Sequence, residues 1–168
     1  MLDDTIQVKG VVFEDFVNYK KPCMVIEMPR CDFKCDRECG QNVCHNSALA
    51  ISDNLTISVE SIVQAYLNNS ITEAICFQGL EPFDSFDDMI KVVHRLKELN
   101  CTDDIIVYTG YYKQEIPIEK LSELYTSTCG RLIIKWGRFI PNASSKYDEI
   151  LGVTLASDNQ YAEVINEL

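Results

Sequence analysis

Apolar and polar positions along the chain repeat in two distinct periods. Residues 6 to 13 (IQVKGVVF) and 22 to 28 (PCMVIEM) are short, apolar and β-branched on either side of a polar turn, and this pattern predicts two strands. From Ser58 to Leu67 the period changes: Val59, Ile62, Val63, Tyr66 and Leu67 recur at helical spacing. Ser58 is placed to cap that helix, and Asn68 and Asn69 to end it. AICFQ (74–78) reads as a buried strand, with a turn from Gly79 to Pro82. A helix running from near Ser85 to Leu99 turns Phe86, Met89, Ile90, Val93 and Leu96 to one face. DIIVYTG (104–110) and RLIIKW (131–136) read as strands around a helix containing KLSELY (120–125). Near the end, Pro141 to Asp148 is polar and loop-like, and YAEVINEL fits a terminal strand or a terminal helix.

Strands that alternate with helices predict parallel pairing through βαβ crossovers, hence an α/β fold. A full eight-unit barrel typically needs ~250 residues. The 168 residues here suit a partial, open TIM-like barrel of parallel strands with flanking helices. Neither a repeat nor a linker interrupts the pattern, so a single domain over 1–168 is expected.

Charge narrows the partners. Lys and Arg number 15 against 26 Asp and Glu, and the net charge of -11 repels phosphate backbones and anionic lipid surfaces. Neither nucleic acid nor membrane is an expected partner. The first residues show no basic stretch leading into an apolar one, and no apolar run approaches the ~18 to 20 residues that span a bilayer. The expected location is therefore the reducing cytoplasm, where the eight cysteines remain thiols and serve as metal or cluster ligands in preference to disulfides. Cys31, Cys35, Cys39 and Cys44 fall within one loop after a strand, whereas Cys23, Cys76, Cys101 and Cys129 sit singly among apolar neighbours and read as small core residues. Zinc usually takes two close cysteine pairs on a longer spacer, a layout this loop lacks. Three thiolates on a cubane cluster would leave one iron open to a substrate.

The loop resembles the cluster motif of the radical S-adenosylmethionine superfamily, Cys-x3-Cys-x2-Cys. Cys31 and Cys35 match directly, and the third ligand is Cys39 or Cys44. In small activating enzymes of the superfamily an aromatic residue and Asn follow the third cysteine. Cys44-His45-Asn46 fits that ending and Cys39-Gly40-Gln41 does not, so Cys44 is preferred, after an insertion DRECGQNV. Gly79-Leu80-Glu81-Pro82 resembles the GGEP motif, which in that family contacts the methionyl amine. Tyr108, Thr109 and Gly110 end a strand, on the side where barrel sites form. KWGRFIPN (135–142) and GVTLASDNQ (152–160) resemble the tail elements of anaerobic ribonucleotide reductase activating proteins, with Trp136 where Asp is usual.

This resemblance covers about residues 8 to 165. It implies an oxidoreductase with a [4Fe-4S] cluster on Cys31, Cys35 and Cys44. The cofactor S-adenosylmethionine would be contacted by Asn46, Gly79, Glu81, Pro82, Tyr108, Thr109, Gly110 and Asn159. The implied activity is cleavage of S-adenosylmethionine to place a glycyl radical on the large subunit of anaerobic ribonucleotide reductase, with a flavodoxin-like electron donor. Alternatives are another glycyl-radical protein, a small-molecule substrate, or a non-catalytic metal or electron-carrier module on Cys31, Cys35, Cys39 and Cys44. His94 reads as a surface or half-buried helix residue, and His45 as packing or hydrogen bonding near the cluster rather than ligating it. The acidic pairs Asp3-Asp4, Asp87-Asp88 and Asp103-Asp104 read as element ends or solvated faces, with Asp87 and Asp88 suited to a helix N-terminus.

Overall fold

In a computed structural model, which describes residues 4–168, the apolar segments assemble into one open mixed sheet with helices packed on it. Asp3 lies outside the described residues. Elements run in the order β1 (Thr5–Val8), β2 (Gly10–Asp15), β3 (Cys23–Met28), α1 (Lys34–Cys39), α2 (Ser47–Ala50), β4 (Leu55–Ser58), α3 (Val59–Leu67) and β5 (Ala74–Gly79). They continue with α4 (Phe86–Glu98), β6 (Asp104–Tyr108), α5 (Ile118–Ser127), β7 (Leu132–Trp136), β8 (Lys146–Asp148), β9 (Val153–Leu155) and β10 (Tyr161–Ile165). The six-stranded sheet has the order β10-β7-β6-β5-β3-β2. Its four central strands are parallel, as the alternation predicts, and β2 and β10 pair antiparallel at the two edges. The sheet does not close into a barrel; β1–β4 and β8–β9 form separate two-stranded pairs.

Because side chains alternate across a strand, the central strands present two apolar faces. Met24, Ile26, Phe77, Val107, Ile134 and Trp136 point to the face covered by α3, α4 and α5. Cys23, Val25, Cys76, Ile106 and Ile133 point the other way, where Tyr19, Leu151 and Leu155 cover them. Helix α3 starts at Ser58, whose hydroxyl accepts from the Ser61 backbone N–H at 3.2 Å, and ends at Asn68. Asp87 and Asp88 occupy the first turn of α4. YAEVINEL resolves as a strand, β10, and the loop after Pro141 contains the short strand β8.

Three expectations change. The run from 6 to 13 is two strands: Lys9 and Gly10 turn from pairing with β4 to pairing with β3. Cys23 and Cys76 are core residues and Cys101 packs against the core, but Cys129 is exposed. Asp104 is an element end, the first residue of β6, but a buried one: it is 4 % exposed and accepts from Tyr19, Lys21 and Arg131. Among the described residues no helix is long and apolar enough to cross a membrane.

Candidate functional site

At the C-terminal ends of the parallel strands the face covered by Leu151 and Leu155 turns from apolar to polar. Glu27, Gln78, Tyr108 and Lys135 stand one alternation beyond Val25, Cys76, Ile106 and Ile133, with Glu27 paired to Gln78 and Tyr108 to Lys135. These four form part of the wall of a cavity of about 440 Å3. The same wall holds Cys31, Cys35 and Cys44, together with Asn46, Gly79, Glu81, Tyr108, Thr109 and Gly110. Of the residues singled out in the sequence, Pro82 and Asn159 are not on that wall. Pro82 is buried at the start of a 3-10 turn, and Asn159 lies beside Gln160, donating to the Arg138 carbonyl at 2.7 Å and to the Tyr112 hydroxyl at 3.1 Å.

Local hydrogen bonds explain how an eight-residue spacing returns Cys44 to the side of Cys35. Helix α1 carries Cys35 in its first turn and stops at Gly40, whose φ of 67° is a left-handed C-cap. Asp36 then accepts from the backbone N–H groups of Val43 and Cys44, at 2.8 and 2.9 Å, closing the insertion on itself. Cys39, on the last turn of α1, is not on the cavity wall. Asn46 donates to the Gly79 carbonyl at 2.5 Å and so ties the end of the cysteine loop to the end of β5. His45 packs against Phe139 with ring centroids 4.2 Å apart, a packing contact as expected. His94 is half exposed, 3.7 Å from Glu123.

Gly79 is required at its position. Its φ is 92°, and a Cβ there would stand 2.9 Å from the Glu27 Cα. Glu81 is buried and accepts from Gly110 N–H at 2.9 Å, Phe83 N–H at 3.0 Å and the Thr109 hydroxyl at 2.8 Å. Burial pushes its carboxyl up to about 7 against the pull of those donors. It thereby joins the end of β5 to the end of β6. Burial raises the Cys31 thiol to about 12, although it accepts from the Phe33 N–H at 3.2 Å, and burial next to Cys44 raises Cys35 as well. A bound cation would reverse that preference by stabilising the thiolates.

A basic residue braces the loop from outside the cavity. The buried Arg138 donates to Glu38 of α1 at 2.7 Å, to the Gly110 carbonyl at 3.0 Å and to both oxygens of Glu115. Lys34 at the start of α1 also donates to Glu115, whose carboxyl those hydrogen bonds hold down at about 2. Arg138 and Lys135 fall in the tail segment KWGRFIPN that the sequence sets apart, but the pattern gives neither of them a role of its own, and it does not mark Glu38, Glu115 or Gln78; these side chains acquire meaning only when neighbouring strands bring them together.

The donor set can be tested against metal chemistry. A tetrahedral zinc site with sulfur ligands at ~2.3 Å draws its thiolates to within ~4 Å of one another. Among the described residues the group tight enough for a single ion is Cys31, Asp32 and Asp84, all within 4.8 Å; Cys31, Cys35 and Cys44 are not gathered that closely. Three soft thiols on one cavity wall, not gathered tightly enough for a single ion, suit a polynuclear iron–sulfur group, whose ligands sit on separate irons.

No curated protein matches the chain significantly. A family model described as "4Fe-4S single cluster domain" matches residues 23–156, from the start of β3 through β9, and takes in the three wall cysteines and the strand-end residues from Glu27 to Lys135. The match takes in the cysteine loop, the parallel strands and the polar strand ends together, and the chain belongs to the 4Fe-4S single cluster domain family.

Proposed function

We propose that this iron–sulfur protein is a radical S-adenosylmethionine activating enzyme that places a glycyl radical on anaerobic ribonucleotide reductase. One observation carries the reading. Cys31, Cys35, Cys44 and Asn46 share a single cavity with Gly79 to Glu81 and with Tyr108 to Gly110, segments that are far apart in sequence and belong to separate resemblances. The cluster, when bound, supplies the electron that splits S-adenosylmethionine into methionine and a 5'-deoxyadenosyl radical. The chain's own residues have other tasks. Cys31, Cys35 and Cys44 hold the cluster, with Cys39 left outside. Asn46 keeps the loop against β5, where the strand-end backbone at Gly79 and Leu80 faces the cavity and can receive a ligand amine. Glu81 is occupied with Thr109 and Gly110 and sets the distance between the two strand ends.

The open sheet, read as part of a barrel, leaves one side of the site uncovered for a loop of the reductase. Electrons come from a flavodoxin-like donor in the cytoplasm. Anaerobic reconstitution provides the test: about four irons per chain, an optical spectrum changed by S-adenosylmethionine, and 5'-deoxyadenosine on reduction. With the reductase present, a glycyl-radical paramagnetic resonance signal is expected. One tightly held zinc and no iron would overturn the proposal.

A further inference from the structure

Helix α1 carries Cys35, yet none of its own residues is buried. A helix of six residues is too short to persist by itself, and without a buried face it gains little from apolar packing. Charged contacts hold it instead. Among the described residues, the side chains of α1 that hydrogen-bond outside the cysteine loop are Lys34 and Glu38, one from each end. Lys34 donates to Glu115, and Glu38 accepts from Arg138 Nε at 2.7 Å. Arg138 closes the circuit by donating to Glu115 Oε2 at 2.6 Å and Oε1 at 3.1 Å. Two cations and two carboxylates therefore join with no net charge, which allows the guanidinium to be buried. The Gly110 carbonyl, 3.0 Å from Arg138 Nη1, and the Tyr112 ring, 4.6 Å from Arg138 Cζ, anchor it to the body of the fold.

We infer that Arg138 and Glu115 are positioning residues for the iron–sulfur cluster: through Lys34 and Glu38 they clasp α1 to the fold, hold the Cys35 thiol in ligating place before the cluster arrives, and set how fast the cluster is released. The clasp acts close to the ligand itself. A Cβ on Gly110 would stand 3.6 Å from both Cys35 Sγ and Arg138 Cγ, so the thiol and the stem of the arginine lie against the same residue. Movement of α1 away from Arg138 carries that sulfur with it. Groups that orient a metal ligand from behind typically govern affinity by about 10- to 100-fold. Ionic docking also has its own signature, because salt screens charges whereas it leaves apolar packing intact. Lys34 and Glu38 reach solvent and are open to that screening, while Arg138 is shielded. The inference rests on the reading of Cys35 as a cluster ligand and is independent of the substrate.

Release of the cluster to an iron chelator, followed anaerobically by its visible absorbance on the reconstituted full chain, tests the clasp. Glu115→Gln is expected to release the cluster about tenfold faster than wild type. Glu38→Gln, at the more exposed end, is expected to do so about threefold faster. Lys113→Gln breaks a pair with Glu163 that does not touch α1, and should stay within about twofold of wild type. Raising sodium chloride from about 0.1 M to about 1 M should speed release from wild type toward the rate of Glu115→Gln, whose own rate changes little. Hydrogen exchange on the chain without its cluster should quicken at residues 34–39 in Glu115→Gln and stay unchanged in β5, β6 and β7. Release from Glu115→Gln within about twofold of wild type, or a wild-type rate that salt slows or leaves alone, would overturn the inference. Faster exchange throughout the sheet would do the same, since the pair would then serve general stability. A wild type that assembles no cluster would overturn the ligand reading and the inference together, whereas a cluster spectrum unchanged by S-adenosylmethionine would count against the activase reading alone.

Discussion

At the scale of single residues, Asp36 makes the unusual cysteine spacing workable. By accepting from Val43 and Cys44 it brings the insertion back on itself, so that Cys44 returns to the cavity wall that holds Cys35. Cys44 is the third thiol on the cavity wall, and Cys39 lies off that wall, on the last turn of α1. Cys44→Ala is expected to abolish cluster assembly, with iron content falling to the background of the preparation, while Cys39→Ala keeps an intact cluster responsive to S-adenosylmethionine. A responsive cluster in Cys44→Ala would reverse the assignment. The ending Cys44-His45-Asn46 was legible in the sequence because the residues are contiguous. The pin from Asp36 was not, since an aspartate in a polar loop has no pattern of its own. Lys135 was hidden for the opposite reason: an otherwise apolar strand reads as core, and only the register with Tyr108 shows which face its one charge is on.

Among elements, the strands buried on both sides were the easiest to read, because β3, β5, β6 and β7 each hold three or more consecutive apolar residues in a run too short for a helix, with their polar residues at or near the ends. The α3 and α4 helices carried their period and their end signals in the sequence. What remained illegible were elements defined by partners. The division between β1 and β2 depends on which neighbour each half pairs with, and β4, at four largely exposed or half-buried residues, exists by pairing with β1. The junction after β5 is the sharpest constraint on the site. Gly79→Ala would place a Cβ 3.0 Å from the Met28 N and force a side chain into a left-handed backbone, costing about 2 kcal/mol or more. Gly110→Ala offers a contrast, since its Cβ would meet nothing closer than 3.6 Å and its backbone stays ordinary. Thermal unfolding should show a clear drop in midpoint for Gly79→Ala and little or none for Gly110→Ala; similar shifts in both would contradict the steric account.

The whole molecule is held at the end of the sheet away from the cavity by an ionic knot. Asp104 at the start of β6 accepts from Tyr19 at 2.8 Å, from Lys21 at 2.9 Å and from Arg131 at 3.0 and 2.7 Å, joining the segment before β3 to the start of β7. Burial would raise its carboxyl, but the hydrogen bonds from Arg131, Lys21 and Tyr19 prevail and hold it at about 2, below the ~3.9 of an unfolded chain. A depressed carboxyl contributes stability above the unfolded value, and that contribution is lost as pH falls toward 2. Lys21 and Arg131 are substantially exposed, so the contribution is about 1–2 kcal/mol after allowance for solvent screening. Asp104→Asn is accordingly expected to lower the urea midpoint at pH 7, with the gap from wild type narrowing as pH falls from about 5 to about 3. A gap independent of pH would exclude the ionic origin. The mainly parallel α/β order was visible in the alternation of elements. That the sheet stays open was set by the antiparallel β10, which the terminal sequence left undecided between strand and helix. One feature of this arrangement has a practical use. The chain has a single tryptophan, Trp136, fully buried and lying flat at 6.3 Å from Phe83, immediately beside Lys135 and Gly137 on the cavity wall. The protein therefore carries one intrinsic fluorophore near its site: its emission colour reports entry of water into the core, and its intensity reports arrival of any visible-light absorber, such as an iron–sulfur chromophore, within energy-transfer range.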